Sequence, residues 1–176
     1  MQRPTSVTVF GVLNIVFGAL GFFAMMFTVI VFILPLPTAN NPVLEIMRNS
    51  PGYAVWMKLA IPLGFLATGV SIAAGAGLLK LKSWGRTLSI GYAIYSIVAG
   101  LLGAVLNYTF IMQPLMEQAS QKSGPEAAVL IGGAIGGTFG SCFGMIYPVL
   151  LLIFMLRPNV VAAFRPPAEP AGMDSN

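Results

Sequence analysis

Four charge-free apolar runs account for most of this chain: residues 4–44, 59–79, 87–116 and 127–156. A helix needs ~20 mostly apolar residues to cross the hydrocarbon core of a bilayer, and even the shortest run is that long. The expected fold class is therefore an all-α integral membrane protein, a four-transmembrane-helix bundle. Composition agrees: 57% of residues are hydrophobic and only 8% are charged, against about 25% charged in soluble domains. Spans expected at about 6–34, 54–80, 85–112 and 126–156 nearly use up the 176 residues. They form one transmembrane domain over 1–165. The tail, 166–176, is rich in Pro, Ala and acidic residues and reads as a disordered cytoplasmic segment.

Arg3 followed by a long apolar run has the outline of a signal peptide. A signal core is only ~7–15 residues long, however, and the run from 7 to 34 continues well past that. It is expected to be a retained first span.

Charge sets the expected orientation. Arg3, Lys80, Lys82, Arg86, Arg157 and Arg165 fall on one side of the four spans. Arg48, Lys58 and Lys122 fall on the other, accompanied by Glu45, Glu117 and Glu126. Lys/Arg excess marks the cytoplasmic side, so both termini are expected there. Trp56 and Trp84 sit where aromatic interface anchors belong, with Lys80, Lys82, Arg86 and Arg157 anchoring the basic side.

The connections carry their own signals. Asn41 before Pro42 reads as an N-cap opening a short interfacial helix over 43–48. The segment 114–122 is expected to extend the third helix until Gly124 and Pro125 break it, and Ser123-x-x-Glu126 has the spacing of a capping box opening span four. Val160, Val161 and Phe164 are expected to lie on the inner membrane surface.

Residues 14–21 (NIVFGALG) match residues 96–103 (SIVAGLLG) at five of eight positions. The match suggests two helical hairpins related as parallel repeats; shared apolar composition is the competing explanation.

The sharpest local pattern is in span four. Gly132, Gly136, Gly140 and Gly144 recur every fourth residue, with Gly133, Gly137 and Ser141 beside them. At 100° per residue these two rows cover about half of the helix surface. Between helices in lipid no hydrophobic effect operates, and small residues promote association by letting backbones come close. The face is read as helix packing, against spans one to three or against another subunit; a pore lining of exposed backbone is the third reading. Span two has comparable rows through Ser71 and Gly75 and through Gly69 and Gly77, and span three has Ser96 and Gly100.

Site chemistry is sparse. The sequence has no histidine and one cysteine, Cys142, which removes a Cys/His metal cluster and the commonest general base. No P-loop pattern is present. Asn14 and Asn107 are the notable polar groups inside spans, expected to bond between helices. The basic residues are scattered at span ends, which argues against nucleic acid as a partner. No cofactor is expected; the expected partners are the lipid bilayer and, through the glycine face, a second copy or another membrane protein.

Arg3-Pro4, the turn Lys82-Ser83-Trp84-Gly85-Arg86 and the exit Leu156-Arg157-Pro158 give the chain a general resemblance to small uncharacterised four-span proteins of bacterial inner membranes. The resemblance implies a fold and an inner-membrane address, and carries no activity or site. The paired loop cysteines of claudins and the Cys-Cys-Gly of tetraspanins are absent from the sequence, as is the first-span acid of small multidrug transporters. The expected function is that of a non-enzymatic accessory, scaffold or assembly subunit. The alternative is a channel or transporter for a neutral or apolar small solute.

Overall fold

The computed structural model describes residues 5–34 and 41–164, the side chains of Pro42, Thr138, Ser141 and Cys142 excepted. The tail at 166–176 and Arg3 lie outside the described residues. All regular structure among the described residues is helical: α1 (Thr5–Ile33), α2 (Pro42–Asn49), α3 (Pro51–Leu79), α4 (Ser83–Asn107), α5 (Gln113–Ser120), α6 (Pro125–Met155) and α7 (Pro158–Ala163). A π-helical turn, Tyr108–Met112, joins α4 to α5 without a break. By length and composition, three helices suffice to cross a membrane: Thr5–Ile33, Pro51–Leu79 and the continuous Ser83–Ser120. α6 contributes two shorter apolar stretches, Pro125–Gly137 and Phe143–Met155.

α1 runs along α3, α3 along α4, and α4 along α6. The described termini and the α3–α4 turn share one end of the bundle, here called proximal. There Val7, Phe10, Leu78, Ala93, Leu151, Met155 and Val160 form one apolar cluster. A second cluster, Ile46, Ile111, Leu115, Ala119, Leu130 and Ala134, packs the distal end beneath α2. Large side chains between these clusters point outward, with Phe23, Phe27 and Phe143 each about 70% exposed (70%, 67% and 68%). An apolar exterior over a partly polar interior is the distribution expected of helices bathed in lipid.

Glycine decides two of the contacts. A Cβ on Gly75 would stand 2.6 Å from the Gly11 carbonyl oxygen, and one on Gly77 would stand 2.6 Å from the Gly85 Cα. α3 therefore meets α1 on one side and α4 on the other at backbone distance, which only hydrogen side chains permit. The turn between α3 and α4 is correspondingly tight, with Leu81 at φ 50°.

Helix ends follow local chemistry. The Asn41 side chain accepts from the Leu44 amide at 3.1 Å, and proline follows at the first helical position. Arg48 Nη2 donates to the Val31 and Leu34 carbonyls at the end of α1, and Arg86 Nε donates to the Met155 carbonyl at the end of α6 at 3.0 Å. Each places a cation where the helix dipole is negative.

One expectation fails here. Ser123 and Glu126 form no capping box: Gly124, at φ 75°, is the N-cap and no side chain caps α6. Pro125 at the first position moves the helix start one residue on, and Glu126 instead pairs with Lys122 at 3.0 Å on the exposed surface. In α7, Val160 is buried in the proximal cluster, whereas Val161 and Phe164 are half-buried.

Candidate functional site

Four helices meet at one polar point in the proximal half of the bundle. Asn14 of α1 is fully buried, as are Ser71 of α3 and Ser89 of α4. Asn14 Nδ2 donates to Ser89 Oγ at 3.1 Å, and Ser89 Oγ in turn donates to the Gly85 carbonyl at 2.8 Å. Ser71 Oγ donates to the Asn14 backbone carbonyl at 2.9 Å. From α6, Tyr147 Oη donates to Asn14 Oδ1 at 2.6 Å. Asn14 therefore ties its helix to the other three. The glycine contacts make this possible: Gly11 and Gly75 bring α1 and α3 within reach of the Ser71 hydroxyl, and Gly77 and Gly85 draw α4 close enough for Ser89.

Tyr147 is held by aromatic neighbours, its ring centroid 4.5 Å from Phe17 and 6.4 Å from Phe10. Beside it, a groove of about 660 Å³ opens between α1, α4 and α6. Phe17, Leu20, Tyr92, Ser96, Gly144 and Pro148 are among its walls. Pro148 has no N–H to offer the Gly144 carbonyl one turn earlier, and both residues line the groove. A groove of this kind holds an apolar body and offers it a few hydrogen-bonding groups.

The predicted glycine face divides in two. Around Gly132, Gly136, Gly140 and Gly144, none of the described residues lies within 4 Å of where a Cβ would project. In the neighbouring row, Gly133 faces Val43 at 3.3 Å and Gly137 faces the Asn107 amide at 3.7 Å. Intrachain packing thus uses the second row and leaves the first uncovered. The side chain of Ser141 lies outside the described residues.

Of the two asparagines singled out, Asn14 makes bonds between helices, whereas Asn107 sits half-buried beside Gly137 in the distal half. They are not brought together. Lys80 and Lys82 are exposed at the α3–α4 turn, as the C-cap residue of α3 and the N-cap residue of α4. Trp84 lies across Gly77, Trp56 is half-buried in α3, and the Arg157 guanidinium stacks 4.3 Å from the Phe154 ring centroid. Arg86 does more than anchor, since it caps α6.

Sequence reasoning did not single out Tyr147 or Ser89. Tyr147 stands eight residues before Met155, the last residue of α6, and becomes a partner of Asn14 only through the fold. Among the described residues no three His, Cys, Asp or Glu side chains gather as a metal site would require. No protein-family model matches this chain, and neither does any curated protein or solved structure.

Proposed function

We propose that this chain is a four-span integral membrane protein, with α6 as the fourth span, that works without catalysis as an accessory or assembly subunit. The uncovered row Gly132, Gly136, Gly140 and Gly144 carries the reading. It is a smooth strip about three turns long on an apolar helix, flanked by exposed Ile135 and Phe139. A second helix, from another copy or another membrane protein, approaches such a strip closely. The polar junction is consistent with a structural role, because Asn14, Ser71, Ser89 and Tyr147 bond one another or backbone carbonyls. Positive-inside charge favours a cytoplasmic proximal end, and the resemblance to small bacterial four-span proteins favours an inner-membrane address.

Gly136→Leu tests the reading. Cross-linking and mild-detergent co-purification of the full chain should show an assembly that the variant loses, with helix content and melting temperature unchanged. A monodisperse, partner-free wild-type particle sinks the proposal. A second reading, binding or passage of a neutral solute, is favoured by the groove that Gly144 and Pro148 line. Under it, Gly144→Leu reduces flux or ligand binding while assembly persists.

A further inference from the structure

A separate recess at the distal end carries a charge. It is an open depression of about 290 Å³ between α2, the π-helical turn and α5, and Glu45, Asn49, Thr109 and Gln118 are exposed in it. Its walls include Glu45, Asn49, Ser50, Thr109, Phe110 and Gln118. Glu45 is the one charged residue lining it, and no cation pairs with Glu45 among the described residues. Arg48, on the same helix, has its Nη2 bonded to the Val31 and Leu34 carbonyls at the end of α1, and Lys122 is paired with Glu126.

The remaining polar groups can all accept. Asn49 and Gln118 bring amide oxygens, and Ser50 brings a hydroxyl. Thr109 spends its proton on the Val105 carbonyl at 3.0 Å, which leaves its oxygen as an acceptor. Phe110 adds an aromatic ring lodged over the first turn of α3, where a Cβ on Gly52 would stand 2.6 Å from it. The π-helical turn inserts its extra residue at this wall, and such turns recur at functional sites. A carboxylate, several neutral acceptors and an aromatic ring together suit an ammonium group. An anion would meet the unpaired charge of Glu45.

We propose that this recess binds the ammonium group of a small amine or of an ethanolamine lipid headgroup. Its position at the distal ends of α2 and α5, beside the apolar part of the bundle, allows either source. The test uses the full chain purified in neutral detergent, titrated with ethanolamine by calorimetry. In parallel, the chain is placed in phosphatidylglycerol nanodiscs with and without phosphatidylethanolamine, and the lipid retained after re-extraction is measured. Saturable ethanolamine binding, weakened about tenfold or more by Glu45→Gln, supports the proposal with a free amine as the source. Glu45-dependent retention of phosphatidylethanolamine without free-amine binding supports it with the headgroup as the source. Phe110→Leu should weaken either by a smaller factor, about threefold. Binding of neither probe to the wild-type chain overturns the proposal, as does binding that Glu45→Gln leaves unchanged. Should Glu45→Gln fail to fold, Gln118→Ala at the same wall replaces it, with unchanged binding as the overturning result.

Discussion

Asn14 shows how a single side chain can organise a membrane bundle. An amide placed in hydrocarbon without partners costs several kcal/mol, yet in this interior it meets Ser89 and Tyr147, and its own carbonyl receives Ser71. The Tyr147→Phe variant leaves Asn14 Oδ1 buried without that donor and should lose about 1–2 kcal/mol of stability. Asn14→Leu strands the Tyr147 hydroxyl and should lose a comparable amount. The double variant should lose less than the sum of the two, by about 0.6–1.7 kcal/mol. Reversible unfolding in mixed micelles measures all three, and strict additivity would show that the bond contributes nothing. The sequence made Asn14 visible, because an amide within an apolar run has few other uses. It could not reveal Tyr147, which is 133 positions away and becomes a partner only once α6 returns beside α1.

At the scale of elements, the glycines separate into those that touch backbone, those that touch only side chains and those that touch nothing. Gly85→Val should force α4 off α3 and cost about 1–3 kcal/mol, because the obstructing atoms are the Gly77 and Leu78 backbone. Gly69→Ala should be neutral or mildly stabilising, since nothing lies within 4 Å and alanine favours the helix by up to about 1 kcal/mol. Melting temperatures in one detergent compare the two directly; equal losses would refute the distinction. Sequence pattern directed attention chiefly to the α6 rows, whereas helix backbones come together at Gly11 with Gly75 and at Gly77 with Gly85. A periodic pattern tells which face of a helix is small, but not which helix lies opposite. The same limit applies to the ends. Asn41 followed by Pro42 identified a true cap from adjacent residues alone, while Ser123 had the right spacing and lost its place to Gly124 and Pro125.

For the whole molecule, the long apolar helices were legible because lipid demands uninterrupted apolar length. The interior was not, because a bundle in lipid is assembled by small residues and hydrogen bonds that span distant parts of the chain. The proposed orientation gives a direct test in intact cells. On a Cys142→Ala background, Glu117→Cys should react with a membrane-impermeant maleimide and Ser83→Cys only after permeabilisation. The reverse pattern would overturn the orientation while leaving the bundle intact.

The π-helical turn at Tyr108–Met112 has a further effect on the continuous helix that contains it. Treated as a wave, the buried positions of α4 and those of α5 are out of step, and the one surplus residue supplies the phase shift. Were the same residues wound as ordinary α-helix throughout, the helix would stay whole but α5 would turn by about 100°. Leu115 and Ala119, now in the distal cluster, would swing out toward the membrane, and Gln118 would leave the wall it shares with Glu45. This small irregularity acts as the timing element that lets one uninterrupted rod present two differently aimed faces.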